Sequence, residues 1–242
     1  MFRALVPLLA VGVLAIWFVA RSRQPVMPSA AQVARERAST PPGMVYVPAG
    51  WCILGTDDPE SDDDVRPARR VWVASYYIDR TEVTAREYKR FKPDYEIAPG
   101  EEDLPATNVT YAEAEAYAKS LGKVIPTEEQ WEKAARSEDG RSFPWGNEWS
   151  PKRVAARRKG APIIEKKGNV CSIFANRVEP VGRHSDGASP YGCMDMAGNA
   201  WEWVQGFYRG NPDQRILRGG AVGYGERACR SYHRAIEGAG VT

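Results

Sequence analysis

Histidine is almost missing from this chain: His184 and His233 are the only two among 242 residues, and neither has another candidate ligand at metal-binding spacing. Cysteine is sparse as well, with Cys52, Cys171, Cys193 and Cys229 scattered and no CxxC pair among them. Zinc sites are assembled from closely spaced thiolates and imidazoles, so this distribution argues against one. An excess of one sign of charge is also lacking. A net charge of +2 gives no reason to expect a nucleic-acid partner. Long hydrophobic runs are limited to Ala4 to Ala20, bounded by Arg3 on one side and Arg21 and Arg23 on the other.

That run has the length of a tightly fitting membrane span and is long for the core of a cleaved signal. Cleavage after Ala20 would place Phe18 at the third position back, where a small residue is wanted. One N-terminal transmembrane helix, an uncleaved anchor over residues 1–23, is therefore expected. Arginines flank both ends, which leaves its orientation open. Residues 24–42, rich in Ala, Pro, Ser and Arg, are expected to form a flexible tether. Residues 43–242 have the size of one domain. Eight tryptophans with 22 glycines and 18 prolines predict a loop-rich α+β fold of low regular secondary structure, held by aromatic packing. Behind an export signal the cysteines would form one or two disulfides; buried free thiols are the alternative, and both remain open.

Short alternating strands are expected over Met44–Pro48 and Gly50–Gly55, and another over Arg69–Ile78, with Val71, Val73 and Tyr77 on one face and Trp72 on the other. Asp57 to Asp64 holds six acids in eight residues and reads first as a solvated loop. Three capping boxes, Thr84-x-x-Glu87, Thr110-x-x-Glu113 and Thr127-x-x-Gln130, each mark a helix start. The first helix should run to Phe91. The second should bury Ala114, Tyr117, Ala118 and Leu121, and the third should bury Trp131, Ala134 and Ala135 before ending near Ser137. Regular structure then thins. Pro151–Lys167 is a basic loop, Val178–Gly182 a candidate strand, and Ile216–Gly220 and Arg227–Tyr232 two strands joined by a glycine-permitted bend.

The most chemically loaded stretch is Tyr191 to Trp203, which sets Asp195 and Glu202 around Gly198 and beside Trp201 and Trp203. From the residues alone it reads first as a tryptophan-anchored core turn whose acids cap backbone N–H groups. The same residues suit an oxygen-lined cation site, with glycine letting carbonyls turn inward.

Several segments together resemble a known family. They are Met44-Val45-Tyr46-Val47-Pro48-Ala49-Gly50, Tyr77-Ile78-Asp79-Arg80-Thr81-Glu82-Val83-Thr84, Leu121-Gly122-Lys123, Pro126 to Glu132, Phe143-Pro144-Trp145-Gly146, Gly198 to Trp203, and Leu217-Arg218-Gly219-Gly220. In this order, from Met44 to Arg234, they are similar to the formylglycine-generating enzymes, or sulfatase-modifying factors. The resemblance implies one C-type-lectin-like domain. It also implies a calcium site from the side chains of Asp195 and Glu202 and the carbonyls of Gly198 and Ala200. A second calcium site would fall near Asn169 and Val170, where the loop is shorter and carries Cys171-Ser172-Ile173-Phe174.

Family members that oxidise a sulfatase cysteine use two cysteines five apart after Arg-Gly-Gly, a pairing suited to soft Cu(I). At those positions this chain has Tyr224 and Cys229. Copper chemistry is not expected, and Cys229 reads as a core thiol or half of a disulfide. Iron sulfoxide-synthase chemistry needs a histidine cluster that two histidines do not make. Arg218, Tyr224, Arg227, Arg230, Tyr232, His233 and Arg234 fall where relatives place their groove. They would either hold an anionic or peptide ligand or form a buried lattice with carboxylates. Relatives also end in a further Gly-Phe-Arg strand, so an uncovered edge and a protein partner are expected. The resulting expectation is a membrane-anchored, non-oxidase accessory or structural subunit on the periplasmic face of a bacterial inner membrane. Alternatives are a metal-dependent maturation enzyme of the same family or a lectin-like ligand-binding module.

Overall fold

In the computed structural model, which describes residues 25–156 and 178–238, the chain enters through helix α1 (Ala30–Ala38). This helix lies inside the stretch expected to be a flexible tether. Ser29 caps it, and it buries none of its own residues. What ties it down is polar: the Tyr46 hydroxyl donates to Glu36 Oε2 at 2.5 Å and the Tyr77 hydroxyl to Glu36 O at 2.7 Å. Four short strands follow, β1 (Met44–Val47), β2 (Gly50–Leu54), β3 (Arg69–Val73) and β4 (Tyr76–Asp79). They form two antiparallel ribbons, β1 with β4 and β2 with β3. The single strand expected over Arg69–Ile78 is therefore two. The chain leaves one ribbon at Ala74-Ser75 and enters the other, opposing Trp51 to Trp72 in the first and Val45 to Ile78 in the second.

Helices α2 (Ala85–Phe91), α3 (Tyr111–Ser120) and α4 (Glu128–Arg136) begin at the three expected capping boxes. In each, the threonine oxygen accepts from the N–H three residues on, and the Glu or Gln there accepts from the threonine N–H. The face expected to be buried on α3 is not. Only Tyr111 is buried on it, and Leu121, just past its end, is 52% exposed. The helix rides on the surface, joined to α2 by the rings of Tyr117, Tyr88 and Phe91.

The last sheet runs β5 (Glu202–Phe207), β6 (Gln214–Arg218), β7 (Ala235–Gly238), all antiparallel. Arg227–Tyr232, expected as a strand, contains a 3₁₀ turn at Glu226–Cys229, and Val178–Gly182 is loop. After Arg234 the chain forms β7, which pairs Ile236 with Ile216. The expected transmembrane helix is also corrected: among the described residues no helix is long and apolar enough to cross a membrane, and Ala4–Ala20 lies outside them. So do most of Pro151–Lys167 and the second calcium position at Asn169 and Val170.

The core is organised by α4. Trp131, Ala134 and Ala135 are fully buried against Val45, Val47, Cys193, Met196, Val204 and Ile216, the alanines letting the strands approach closely. Four of its polar residues, Glu128, Glu132, Lys133 and Arg136, are buried too, and each has a partner. Lys133 Nζ donates to Pro48 O at 2.7 Å and Gly50 O at 3.0 Å, holding the β1–β2 turn. Glu132 accepts from Gly55 N at 2.7 Å, from Arg136 Nη1 at 2.7 Å and from Arg218 on β6. Arg218 also donates to Tyr232 O at 2.8 Å and His233 O at 2.9 Å.

Truncating one partner of such a pair leaves a buried charge without compensation. Arg218→Ala is expected to cost about 3–5 kcal/mol in urea unfolding. Arg227→Ala, which breaks the exposed pair with Asp62, should stay within about 1 kcal/mol. Equal losses for the two would refute this account of the core.

Candidate functional site

Tyr191–Trp203 crosses the molecule as a bent loop and ends in β5. Asp195, Gly198 and Asn199 have φ of 57°, 77° and 57°, so the chain turns sharply through the left-handed region twice. Space also requires glycine at 198: a Cβ there would lie 2.4 Å from Val154 Cγ2 and 2.5 Å from Ala155 O. The turn sends successive N–H groups outward. Gly198 N–H donates to Gly219 O at 2.8 Å, Asn199 N–H to Ala155 O at 2.8 Å, and Ala200 N–H to Glu82 Oε1 at 2.9 Å. Asn199 O accepts from Val222 N–H at 3.1 Å. The carbonyls on either side, Gly198 O and Ala200 O, accept no hydrogen bond from the described residues.

One of those carbonyls and a carboxylate both lie near Gly219. Ala200 O and Glu202 Oε1 lie 3.8 and 3.7 Å from one point beside Gly219, the place a Cβ would occupy there. Glu202 is aimed by its other oxygen, which accepts from Trp131 Nε1 at 3.0 Å. Asp195 is held by Gly182 N–H, donating to Oδ2 at 2.6 Å. A third carboxylate, Glu82, stands beside them and accepts from Asn199 Nδ2 at 2.6 Å as well as from Ala200 N–H. Glu82 and Glu202 both line a cleft of about 1990 Å³ that also has Trp201, Trp203, Met196 and Tyr224 in its walls. Nothing in local spacing flags Glu82, which is 117 residues from Asn199 in sequence.

None of these three carboxylates has a Lys, Arg or His ion-pair partner among the described residues. Burial raises the carboxyl of Glu82 well above the ordinary value, with Glu202 and Asp195 adding repulsion. Burial likewise raises Asp195, and lifts Glu202 to about 8 despite the Trp131 hydrogen bond. No group of three or more His, Cys, Asp or Glu side chains among the described residues is arranged to hold a metal ion. The set expected for calcium has two such side chains, its other donors being carbonyls. The donor chemistry fits a hard cation: two carboxyl groups and two carbonyls, with neither a hydrogen-bond donor to the carbonyls nor an ion-pair partner for the carboxyls among the described residues.

The other expected site residues are placed differently. Cys229 is fully buried among Phe143, Val154 and Ala197, and burial pushes its thiol up to about 12. Cys52 and Cys193 are also buried free thiols, pushed up to about 11 and about 12, and Cys171 lies outside the described residues. The disulfide alternative thus has no instance among the described residues. Tyr224 is 40% exposed, edge-on to Trp201 with ring centroids 5.2 Å apart.

The arginines of the expected groove meet acids of the same chain. Arg234 pairs with Glu128, Arg230 Nη1 with Asp58 Oδ2 at 2.9 Å, and Arg227 Nη2 with Asp62 Oδ1 at 2.5 Å. His233 Nδ1 lies 3.4 Å from Asp62 Oδ2, while Arg230 also donates to the Tyr232 hydroxyl at 3.0 Å. The acidic Asp57–Asp64 loop therefore covers the arginine face, and Arg218 is sealed beneath it by Glu132.

Comparison with known proteins agrees with this architecture. The model of the sulfatase-modifying factor enzyme 1-like domain matches residues 29–241. The chain is 28% identical over 231 residues to the mouse protein named inactive C-alpha-formylglycine-generating enzyme 2, covering 74% of this chain and 73% of that one. It is 30% identical over 244 residues to the hercynine oxygenase of Mycolicibacterium smegmatis, covering 73% of this chain but only 53% of that longer protein. Among solved structures, PvdO from Pseudomonas aeruginosa superposes with a TM-score of 0.64 at 26% identity, over 82% of this chain and 89% of that one.

The raised carboxyls make a testable signature. Glu202 binds its proton more tightly folded than unfolded, so it adds stability below its ordinary value of 4.5 and loses it as pH rises through about 8. Glu82 and Asp195 act in the same direction, while His233, lowered by burial, opposes them. In chelator, the melting temperature should fall by several degrees across that window, and Glu202→Gln should flatten part of the slope. Identical slopes for the two proteins would exclude Glu202 as its source.

Proposed function

The chain belongs to the sulfatase-modifying factor enzyme 1-like family, and from that premise we propose that it is a calcium-stabilised member that does not oxidise cysteine and serves as an accessory or structural subunit of a larger assembly. The observation that carries the first half is the pair of positions Tyr224 and Cys229. Cu(I) is a soft ion and is held by thiolates. A phenol is not a soft ligand, and Cys229 is left as a single, fully buried thiol with no second thiol at the paired position. Oxygenase chemistry has no support in the histidines either. His184 sits on Glu179 and Lys152 O, and His233 on Asp62.

Calcium is supported by Asp195, Glu202 and the open carbonyls of Gly198 and Ala200. The ion would supply charge that the three carboxylates lack and would cross-link the turn to β5. Its role on this reading is structural. We read the compartment as periplasmic, from the arginine-bounded apolar run at the N-terminus. Calcium sites of modest affinity are filled outside the cytoplasm. Engagement of the arginine face by the acidic loop favours the lattice over an open anion-binding groove. The accessory role then has to be exercised through a protein partner.

Two measurements test the proposal. Removing calcium from loaded protein should lower the melting temperature by several degrees, and Glu202→Ala should abolish that response; a chelator-insensitive melt rejects calcium. Cu(I) titration should show no tight binding, and a cysteine-bearing sulfatase peptide should remain unoxidised. Tight Cu(I) binding lost in Cys229→Ser would overturn the non-oxidase reading. A chain that elutes from its native source as a lone monomer would count against the accessory role.

A further inference from the structure

We propose that Glu82 is a positioning residue for the calcium site: it clamps the Asn199–Ala200 peptide from outside and so holds the Ala200 carbonyl toward Glu202. This inference rests on the calcium reading given above. It concerns a residue outside the four-donor set, brought to it across 117 residues of sequence.

Both Glu82 oxygens are already used. Oε1 accepts from Ala200 N–H at 2.9 Å and Oε2 from Asn199 Nδ2 at 2.6 Å. A carboxylate committed to two N–H donors is suited to orient its neighbours rather than to enter the coordination shell itself. The peptide it grips is fixed at its other end as well, because Asn199 O accepts from Val222 N–H at 3.1 Å. Asn199 completes the frame. Its Oδ1 accepts from Glu179 N–H at 2.9 Å, its Nδ2 also donates to Glu179 O at 3.2 Å, and its side chain is 2% exposed. With the 199–200 peptide plane held at both ends, only φ and ψ of Ala200 remain to set the direction of its carbonyl. Its oxygen and Glu202 Oε1 lie 3.8 and 3.7 Å from the position a Cβ would occupy at Gly219. Asn199 adopts a φ of 57°, in the left-handed region that asparagine tolerates better than most non-glycine residues and that its surroundings here hold in place. Glu82 is among those surroundings.

Charge and geometry make different predictions for Glu82→Asp, which keeps the negative charge but is one methylene too short to reach both donors. The probe is calcium itself by titration calorimetry, and terbium(III) in its place, sensitised by Trp131 and Trp201. Terbium emission lifetime reports how many waters complete the coordination shell. On the full chain, Glu82→Asp should weaken calcium about tenfold and shorten the lifetime by the equivalent of one added water, as the carbonyl of Ala200 swings away. Glu82→Gln is the second variant, since it preserves size if the aspartate fails to fold. It sets an amide N–H against Asn199 Nδ2 and should shorten the lifetime likewise.

Wild-type affinity and lifetime in both variants would overturn the proposal. So would a loss of affinity in Glu82→Gln alone with an unchanged lifetime, because that is the signature of charge without positioning. A lower melting temperature in chelator with calcium affinity intact would show a purely structural role and also overturn it. A wild-type chain that binds neither calcium nor terbium would instead fail the calcium reading, before any variant is compared.

Discussion

The hydrogen bond from Trp131 Nε1 to Glu202 Oε2 is where the two halves of the molecule meet. On one side, Trp131 is fixed by α4, whose alanines bring β1, β5 and β6 close around it. On the other, Glu202 is the first residue of β5 and pairs across to Arg218, which is locked to Glu132 of the same helix. The segment Tyr191–Trp203 thus ends on a residue oriented twice by α4, once through its indole and once through its carboxylate. A rigid end is what lets the preceding turn hold positive φ at Asp195 and Asn199 without relaxing.

Two kinds of buried charge flank that bond, and they do opposite things. Around α4 every acid has a base: Glu132 faces Arg136 and Arg218, and Glu128 faces Arg234 and Arg218. Lys133, without an acid in contact, satisfies its ammonium with backbone carbonyls. Desolvation there is offset by short, well-placed partners, and the result is a fixed lattice. Around Glu202 the balance is absent. Glu82, Asp195 and Glu202 receive N–H donors but no cationic side chain among the described residues, and each is driven toward its neutral form. The fold pairs its charges in one layer and leaves three carboxylates without an ion-pair partner among the described residues in the next.

What the sequence made legible was what is encoded locally. Each capping box needs four consecutive residues, and all three helices begin where their threonines stand. Asp195, Gly198, Ala200 and Glu202 were readable because they fall within eight residues, and the segment resemblance gave them roles. Glu82 was not, since its relation to Asn199 exists only after the β4–α2 connection is laid against the turn. The break at Ala74-Ser75 was hidden for a related reason: the alternation of Val71, Val73 and Tyr77 continues across it, although the two halves pair with different partners. The acidic loop was read as solvated because nothing local says that Asp58 and Asp62 will meet Arg230 and Arg227 more than 160 residues later.

Cys229 shows why a residue can persist in a fold after the chemistry expected of it has no second thiolate. Its sulfur lies where Gly220 passes, 3.1 Å from the position of a Cβ there, and it accepts from the Gly198 N–H that also reaches Gly219 O. Gly198 is the centre of the carbonyl turn. The buried thiol therefore braces the same backbone that presents the Gly198 and Ala200 carbonyls, and it fills the space between Phe143, Val154 and Ala197. A serine would hydrogen-bond more strongly to that N–H but fill less of the cavity, so sulfur's size and weak polarity suit the position on packing grounds alone. The turn at Gly198 and the buried Cys229 thus belong to one packed unit, and each position is shaped by the other.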